Sequence, residues 1–461
     1  MPQPFDRVAG SFRDPAGFVF SRDGVLYRQV NRRFAAAYDR LIGSGLYDDL
    51  ARAGLLVAHD EVDVEPATAE AYKILRPQRV PFVSFPYEWS PGQLRDAALA
   101  TLDAHELAMD AGMSLRDASA YNVQFLHGRP VLIDTLSFEP WPQGRPWVAY
   151  RQYCQHFLAP LALACHTDVR LLRLLRDHLD GIPLDLAAAL LPARTRVTPG
   201  LAVHLHAHAR SQRRHAAGDG ASGGGGGHFS ERAFRGLVDS LRATVAKQTW
   251  EPAPSAWRDY YAAKESYSDE SAEHKAELVA KLLEELRPET VWDLGANTGR
   301  FSRLAARTGS LVVSLEMDPS AVEVSWRQVR DAGERGILPL VVDLANPSPA
   351  LGWEHRERPS LTDRGPADAV LALAVVHHLA IAGNVPLERI ASWLGELGGW
   401  VLLEWVPKDD PMVQRLLASR EDVFDGYTVE GFEAAVAGTF TVDRREPLRG
   451  SARSLYLLRR R

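Results

Sequence analysis

From about Ser271 onward the chain alternates short apolar runs with amphipathic stretches so regularly that few architectures remain open to it. The segment AEHKAELVAKLLEELR precedes the run TVWDLG, TGRFSRLAAR then leads to LVVSLEMD, and PSAVEVSWRQVRDAG leads to ILPLVVDL. Strands that are apolar along their whole length, separated by helices with one apolar face, predict a parallel sheet covered on both sides. The series continues through DAVLALAV, VPLERIASWLGEL and WVLLEWV. It closes with a helix and two alternating runs, TFTVDRREPL and SLYLLRR, expected to form an antiparallel edge. The fold class of this half is α/β.

That pattern occupies only part of 461 residues. Single hydrophobic cores stop growing near roughly 250–300 residues, so two domains are expected. Five consecutive glycines within GDGASGGGGGH preclude a stable helix or strand and read as a linker spanning 216–229. This divides a first domain, 1–215, from a second, 230–461. Ser230 is placed to cap the helix ERAFRGLVDSLRATVAKQTW, with Glu231 in its first turn. Upstream, LAVHLHAHARSQRRHAA reads as a basic helix. His204 and His208 would share one of its faces, but with His206 and His215 they lack an acidic or cysteine partner, and a solvated helix is expected rather than a metal site.

The net charge of −6 argues against a nucleic-acid partner held by a broad basic surface and leaves a small molecule as the expected partner. Two cysteines, Cys154 and Cys165, supply neither a disulfide framework nor a zinc ligand set. The start, MPQPFDRVAGSFRDPAG, has no apolar run after a basic stretch, and no segment approaches the roughly 18–20 apolar residues of a membrane span. A cytoplasmic protein with no membrane partner is expected. The oligomeric state is not legible.

The chemistry concentrates where the first strand of the α/β half meets its helix, at Asp293-Leu294-Gly295-Ala296-Asn297-Thr298-Gly299. Glycines there allow a sharp turn and a ligand lying directly on the backbone. Glu316 closes the next strand, where an acid can accept hydrogen bonds from both hydroxyls of a ribose. Asp343 closes the third, where an acceptor can meet the exocyclic amine of adenine. The dinucleotide fingerprint G-x-G-x-x-G would need glycine at the positions held by Asn297 and Arg300, so a pyrophosphate fits badly. A nucleoside ligand without a phosphate, such as S-adenosylmethionine, tolerates Asn297.

Residues from about 257 to 461, with Asp293 through Asp343 and ALAVVHHLA as successive motifs, resemble a class I S-adenosylmethionine-dependent methyltransferase. The resemblance implies a Rossmann-like sheet of seven strands, mostly parallel, in which Asp293, Gly295 and Gly299 contact the methionine part, Glu316 the ribose, and Asp343 with Leu344 the adenine, with Asn297 a further cofactor-binding candidate. The lead-in WRDYYAAKESYSDESAEHK is similar to that of many such enzymes, with Tyr260, Tyr261 and Tyr267 as candidates to close over the cofactor. The tail WVLLEWVPKDDPMVQRLLASREDVFDGYTVEGFEAAV resembles a bacterial subgroup of NoeA-like methyltransferases.

In that fold the loop after the fourth strand faces the methyl group, and here it carries His377 and His378. An imidazole is a suitable base at neutral pH for an acceptor hydroxyl or protonated amine. His377 is the first candidate and His378 the second. Glu404, ending the fifth strand, is a candidate to orient the acceptor or to hold a cation with a histidine. No metal is expected, because adjacent histidines point apart. Lys408, Asp409 and Asp410 read as a solvated loop.

In the first half one segment stands out, SLRDASAYNVQFLHGRPVLIDTLSFE, with Asp117, Asn122 five residues on, and Asp134 ending an apolar run after a turn at His127-Gly128-Arg129. The spacing resembles the catalytic and metal-binding loops of protein kinases and aminoglycoside phosphotransferases. GFVFSRDGVLYRQV reads as a β-hairpin, VPFVSFPYEWS as a hinge-like strand, and PGQLRDAALATLDAHELAMDAGM as the following helix. No glycine-rich loop precedes the hairpin, Leu115 stands where the family has histidine, and Asp134-Thr135-Leu136 replaces Asp-Phe-Gly. Arg28 and Lys73 are the candidates for the phosphate-binding cation. The expectation is an α+β kinase-like domain that binds substrate or acts as a scaffold, with an ATP-dependent phosphotransferase, or a chain non-catalytic in both halves, as alternatives.

Overall fold

Chain contacts divide the protein into two units, one comprising Met1–Glu251 with Leu351–Arg358, the other Pro252–Ala350 with Pro359–Arg461. The computed structural model describes residues 5–142, 144–210, 230–253, 269–418 and 420–461. The linker 216–229, His215, Tyr260, Tyr261 and Tyr267 lie outside the described residues.

The second unit is built on a seven-stranded sheet of β10 (Thr290–Leu294), β11 (Leu311–Glu316), β12 (Ile337–Val341), β13 (Ala367–Ala372), β14 (Gly398–Trp405), β15 (Phe440–Pro447) and β16 (Ser454–Arg460). Their order across the sheet is β12-β11-β10-β13-β14-β16-β15. The first five strands run parallel, and β16 lies antiparallel to both β14 and β15. The last strand is thus inserted between the fifth and sixth, giving the mostly parallel Rossmann-like sheet with an antiparallel edge. Val291 to Leu294 and Val312 to Glu316 are buried, as strands covered on both faces must be. Strand order reverses between β10 and β13, and the crevice at the carboxyl ends of such strands is where open α/β sheets bind ligands. Helix Pro319–Ala332 shows how local chemistry sets the boundaries. The Asp318 carboxylate accepts Ser320 N–H at 2.8 Å, Pro319 occupies the first turn, and Gly333 with φ of 65° ends the helix.

The first unit carries a five-stranded antiparallel sheet, ordered β1 (Asp6–Arg7), β2 (Gly17–Arg22), β3 (Val25–Asn31), β5 (Ala71–Pro77), β4 (His59–Glu61). The expected hairpin is β2–β3, turning at Asp23 and Gly24 with φ of 51° and 76°, the twist that a two-residue hairpin loop requires. Helices Ala35–Gly43 and Leu46–Arg52 join β3 to β4. Helix Pro91–Asp110 starts at a capping box in which Ser90 Oγ accepts Gln93 N–H while Gln93 Oε1 accepts Ser90 N–H at 2.9 Å. Two small ribbons follow. β6 (Met113–Leu115) pairs with β9 (Phe138–Pro140), and β7 (Val123–Leu126) with β8 (Arg129–Leu132). Asp117 to Asn122 therefore lie between β6 and β7, and Asp134 between β8 and β9.

Three expectations are corrected. VPFVSFPYEWS forms no strand, only a turn at Pro86–Glu88, because its backbone donors are taken by side chains: Phe85 N–H by Glu88 at 2.9 Å and Ser84 N–H by Gln124 at 2.8 Å. His204 and His206 of the histidine tract are not solvated. In the widened turn Ala202–Ala207, His204 is fully buried between the Tyr150 hydroxyl at 2.7 Å and Ser240 Oγ at 2.9 Å, and His206 meets Thr195 Oγ1 at 2.9 Å. Helix Glu231–Ala246, which the linker would assign to the second domain, packs within the first unit. Arg235 pairs with Asp110 at 2.8 Å, Arg242 with Asp103 at 2.7 Å and Glu106 at 2.9 Å, and Phe234 is buried against Trp141. Among the described residues no helix is long and apolar enough to cross a membrane.

Candidate functional site

The loop leaving β10 is shaped by backbone geometry that its sequence permits. Gly295, Asn297 and Gly299 have φ of 70°, 52° and 85°, a region costly for most side chains but open to glycine and accessible to asparagine. A Cβ on Gly295 would stand 2.7 Å from Val375 Cγ2, so the close approach also requires glycine. Gly295 N–H and Ala296 N–H both reach the Leu315 carbonyl, at 2.8 and 3.1 Å, which fastens the loop to β11.

Glu316, at the end of β11 and buried, accepts Asn297 N–H at 3.0 Å through Oε2 and Asp318 N–H at 2.9 Å through Oε1. Burial raises its pKa, and the backbone donors of Asp318 and Asn297 act against that rise. Beyond β12, half-buried Asp343 accepts Ala345 N–H at 2.9 Å, with Leu344 beside it.

These residues line one cavity of about 420 Å³, formed by Gly295, Asn297, Glu316, Asp343 and Leu344 with the chain from Leu373 to Val375, His378 and Leu379. Two contributors were not legible beforehand. Met317 stands 49% exposed in the cavity lining, and Ala374, with φ of 56°, holds a strained conformation where β13 gives way to the histidine loop.

Asp293 does not line the cavity. It lies beneath, 2% exposed, accepting Ser302 Oγ–H at 2.6 Å, while Ser314 Oγ donates to Ser302 Oγ at 2.8 Å. Burial pushes its carboxyl up to about 6. In this position Asp293 supports the loop from below. Gly299 likewise stands back from the cavity and starts helix Arg300–Arg307.

The two histidines separate in role. His378 lines the cavity, and burial followed by the charge of Arg453 pushes it down to about 4. His377 lies behind it, 1% exposed, the ring centroids 4.0 Å apart, and neither of its ring nitrogens has a hydrogen-bond partner among the described residues. Burial, then His378, Arg453 and Lys275, hold it well below the usual histidine value. The expected order of the two is reversed: His378 is the one at the cavity.

Glu404 is also corrected. Fully buried, it sits 2.5 Å from Lys275 Nζ and 3.3 Å from Arg453, which in turn grips Asp410 at 2.7 and 3.1 Å. Two cations and two carboxylates close on one another, and Lys275 also lies 4.6 Å from the Phe301 ring. Burial lowers the Lys275 pKa against the pull of Glu404. Glu404 is thus committed to this cluster rather than to an acceptor or a metal. Asp410, read as solvated, is 8% exposed and caps helix Pro411–Leu417 by accepting Met412 N–H at 2.9 Å.

In the first unit, Arg28 on β3 forms an ion pair with Asp134, which also accepts Ser137 Oγ–H and Leu136 N–H. Burial would raise the Asp134 pKa, but Arg28, Ser137 and Leu136 together bring it down. Asp117 accepts Ser119 N–H at 3.0 Å and Gln152 Nε2–H at 2.8 Å, and burial and then the charge of Asp134 raise it. Lys73 pairs with Glu61 on the adjacent strand at 2.6 Å. The Asp134 carboxylate is thus held by an arginine, and the described residues contain no group of three acidic, histidine or cysteine side chains able to hold a metal.

No protein-family model matches the chain. It is similar to the nodulation protein NoeA of Rhizobium meliloti (strain 1021), 35% identical over 475 residues that cover 100% of this chain and 97% of that protein. Among solved structures, WbdD matches at 16% identity and a TM-score of 0.32, covering 47% of this chain and 46% of that one. Magnesium protoporphyrin IX methyltransferase (ChlM) from Synechocystis PCC 6803 with bound SAH matches at 20% identity and a TM-score of 0.31, over 41% of this chain and 84% of that one.

Proposed function

The chain belongs to the family of the nodulation protein NoeA, and from that premise we propose that it is an S-adenosylmethionine-dependent methyltransferase acting on a small-molecule acceptor, with oxygen ahead of nitrogen as the acceptor atom. The supporting observation is the pairing of a close-approach glycine turn at Gly295 with the Glu316 carboxylate in one largely apolar cavity at the strand-order reversal. The donor set fits the cofactor. Both Glu316 oxygens receive backbone N–H donors and would turn their remaining acceptor capacity to ribose hydroxyls, and Asp343 with Leu344 would receive the adenine.

When bound, the cofactor would supply an electrophilic methyl group on a sulfonium, taken up by in-line attack of the acceptor with the neutral thioether, S-adenosylhomocysteine, as the leaving group. The chain's own contribution is alignment and proton removal. Gly295 lets the ligand approach the backbone, Asp293 holds the turn through Ser302, and His378, neutral at physiological pH, accepts the acceptor's proton. His377 backs the His378 ring, and the Lys275–Glu404–Arg453–Asp410 cluster positions the elements around it.

The first unit serves as a binding or scaffold domain, a role supported by Asp134 being paired with Arg28. Incubation of the full chain with methyl-labelled S-adenosylmethionine and metabolite extracts, read by mass spectrometry, tests the proposal. A labelled small-molecule product supports it, and absence of both product and cofactor binding contradicts it.

A further inference from the structure

Residues 351–358 leave the second unit's sheet between β12 and β13, yet they belong with the first unit. They form a tight hairpin whose ends, Leu351 and Arg358, exchange backbone hydrogen bonds at 2.9 and 3.1 Å. Gly352, Glu354 and His355 have φ of 80°, 55° and 56°, a run of left-handed backbone that is strained at its two non-glycine positions. The hairpin is folded around Glu357. This carboxylate, 2% exposed, accepts Trp353 N–H at 2.6 Å, and a Cβ on Gly352 would lie only 2.2 Å from its Oε2.

The outward grip of Glu357 is on Arg13. Nε and Nη2 donate to its two oxygens at 2.6 and 3.0 Å, a two-pronged geometry that fixes both position and angle. Arg13 lies in the loop of residues 8–16 that joins β1 to β2. On that same loop Gly10 approaches the Glu357 carbonyl so closely that a Cβ would stand 2.5 Å from it. Asp14, also on the loop, takes Arg116 at 2.5 Å, one residue before Asp117. Arg358 lays its guanidinium 4.5 Å from the Tyr121 ring centroid, one residue before Asn122. One eight-residue hairpin therefore touches both the loop after β1 and the polar loop that carries Asp117 and Asn122.

We propose that residues 351–358 are a built-in latch that holds the loop 8–16 in place beside the Asp117–Asn122 loop. The latch has one releasable catch, the Arg13–Glu357 pair. Its arginine side chain is 64% exposed, whereas its carboxylate is enclosed in the hairpin. Freed of that catch, loop 8–16 is still tied at its two ends, where Val8 N–H meets the Val19 carbonyl and Asn31 reaches the Pro15 and Ala16 carbonyls, while its middle keeps the Ser11 bonds and the Asp14–Arg116 contact.

Hydrogen–deuterium exchange on the full chain tests this, because amide exchange reports local opening directly. Arg13→Ala removes an exposed side chain and leaves the core intact, and Glu357→Gln keeps the volume inside the hairpin. Each is expected to speed exchange of residues 8–16 by about tenfold or more and to raise exchange across residues 118–124, with β10 to β14 unchanged. Exchange of residues 8–16 at the wild-type rate in either variant overturns the latch.

Discussion

The carboxylate of Glu316 accepts the backbone N–H of Asn297 at 3.0 Å, joining the end of β11 to the turn after β10. One side chain therefore shapes the turn and presents acceptor capacity to the cavity. Glu316→Ala should weaken S-adenosylhomocysteine binding by about 1–3 kcal/mol, the cost of leaving buried donors unpaired. Titration calorimetry measures this, and wild-type affinity in the variant would mean that Glu316 does not serve the ribose.

His378 lines the cavity and is held neutral by burial. His378→Ala should lower the single-turnover methyl-transfer rate by about 100-fold or more, the usual contribution of a positioned base, with cofactor affinity little changed. An unaltered rate would remove His378 as the proton acceptor.

Lys275 and Glu404 meet at 2.5 Å with both side chains no more than 1% exposed. Lys275→Met strips Glu404 of one of two cations in the interior, and loss of a buried partner costs about 3–5 kcal/mol. Because Arg453 remains at 3.3 Å, the lower end of that range is expected in urea denaturation. A variant as stable as the wild type would show that the cluster is not needed for folding.

Acid should destabilise the chain earlier than its carboxylates alone would. Burial pushes His105 and His156 down to about 3 and His378 to about 4. Unfolded histidine titrates near 6.5, so below that value the unfolded chain binds more protons than the folded one, and stability falls as pH falls. Asp293, raised to about 6, acts in the opposite direction over part of the window, as do Glu316 and Asp117, which burial also raises, but His59 and His204, both lowered to about 4, add to the three histidines above. The urea midpoint should therefore drop between about pH 7 and about pH 5. A midpoint that rises on acidification would contradict the assignment of these histidines as buried and neutral.

The α/β half was legible because each of its parallel strands is a short apolar run with a turn signal at its end, and Gly295, Glu316 and Asp343 fall at or just past those ends. What a linear reading could not supply is direction and distant partners. Asp293 and Glu316 both stand near the ends of neighbouring strands, yet only Glu316 meets the cavity, while Asp293 is turned to Ser302. Glu404 reads as a ligand at a strand end until Lys275, 129 positions earlier, and Arg453, 49 later, are seen to enclose it. His377 and His378 are adjacent in sequence, and only the turn after Ala374 decides which one faces the ligand. In the first half, Arg28 could be singled out by charge, but its capture of Asp134 depends on the packing of β3 against the loop after β8.

The most direct test of the central claim is calorimetric titration of the full chain with S-adenosylhomocysteine, beside the Gly295→Ala variant, whose added Cβ would sit 2.7 Å from Val375 Cγ2 in a backbone conformation that alanine resists. Saturable binding at one site per chain, lost in Gly295→Ala while the fold persists by circular dichroism, is the predicted result. No saturable binding at millimolar ligand, or binding that survives Gly295→Ala unchanged, would contradict a cofactor site on this turn.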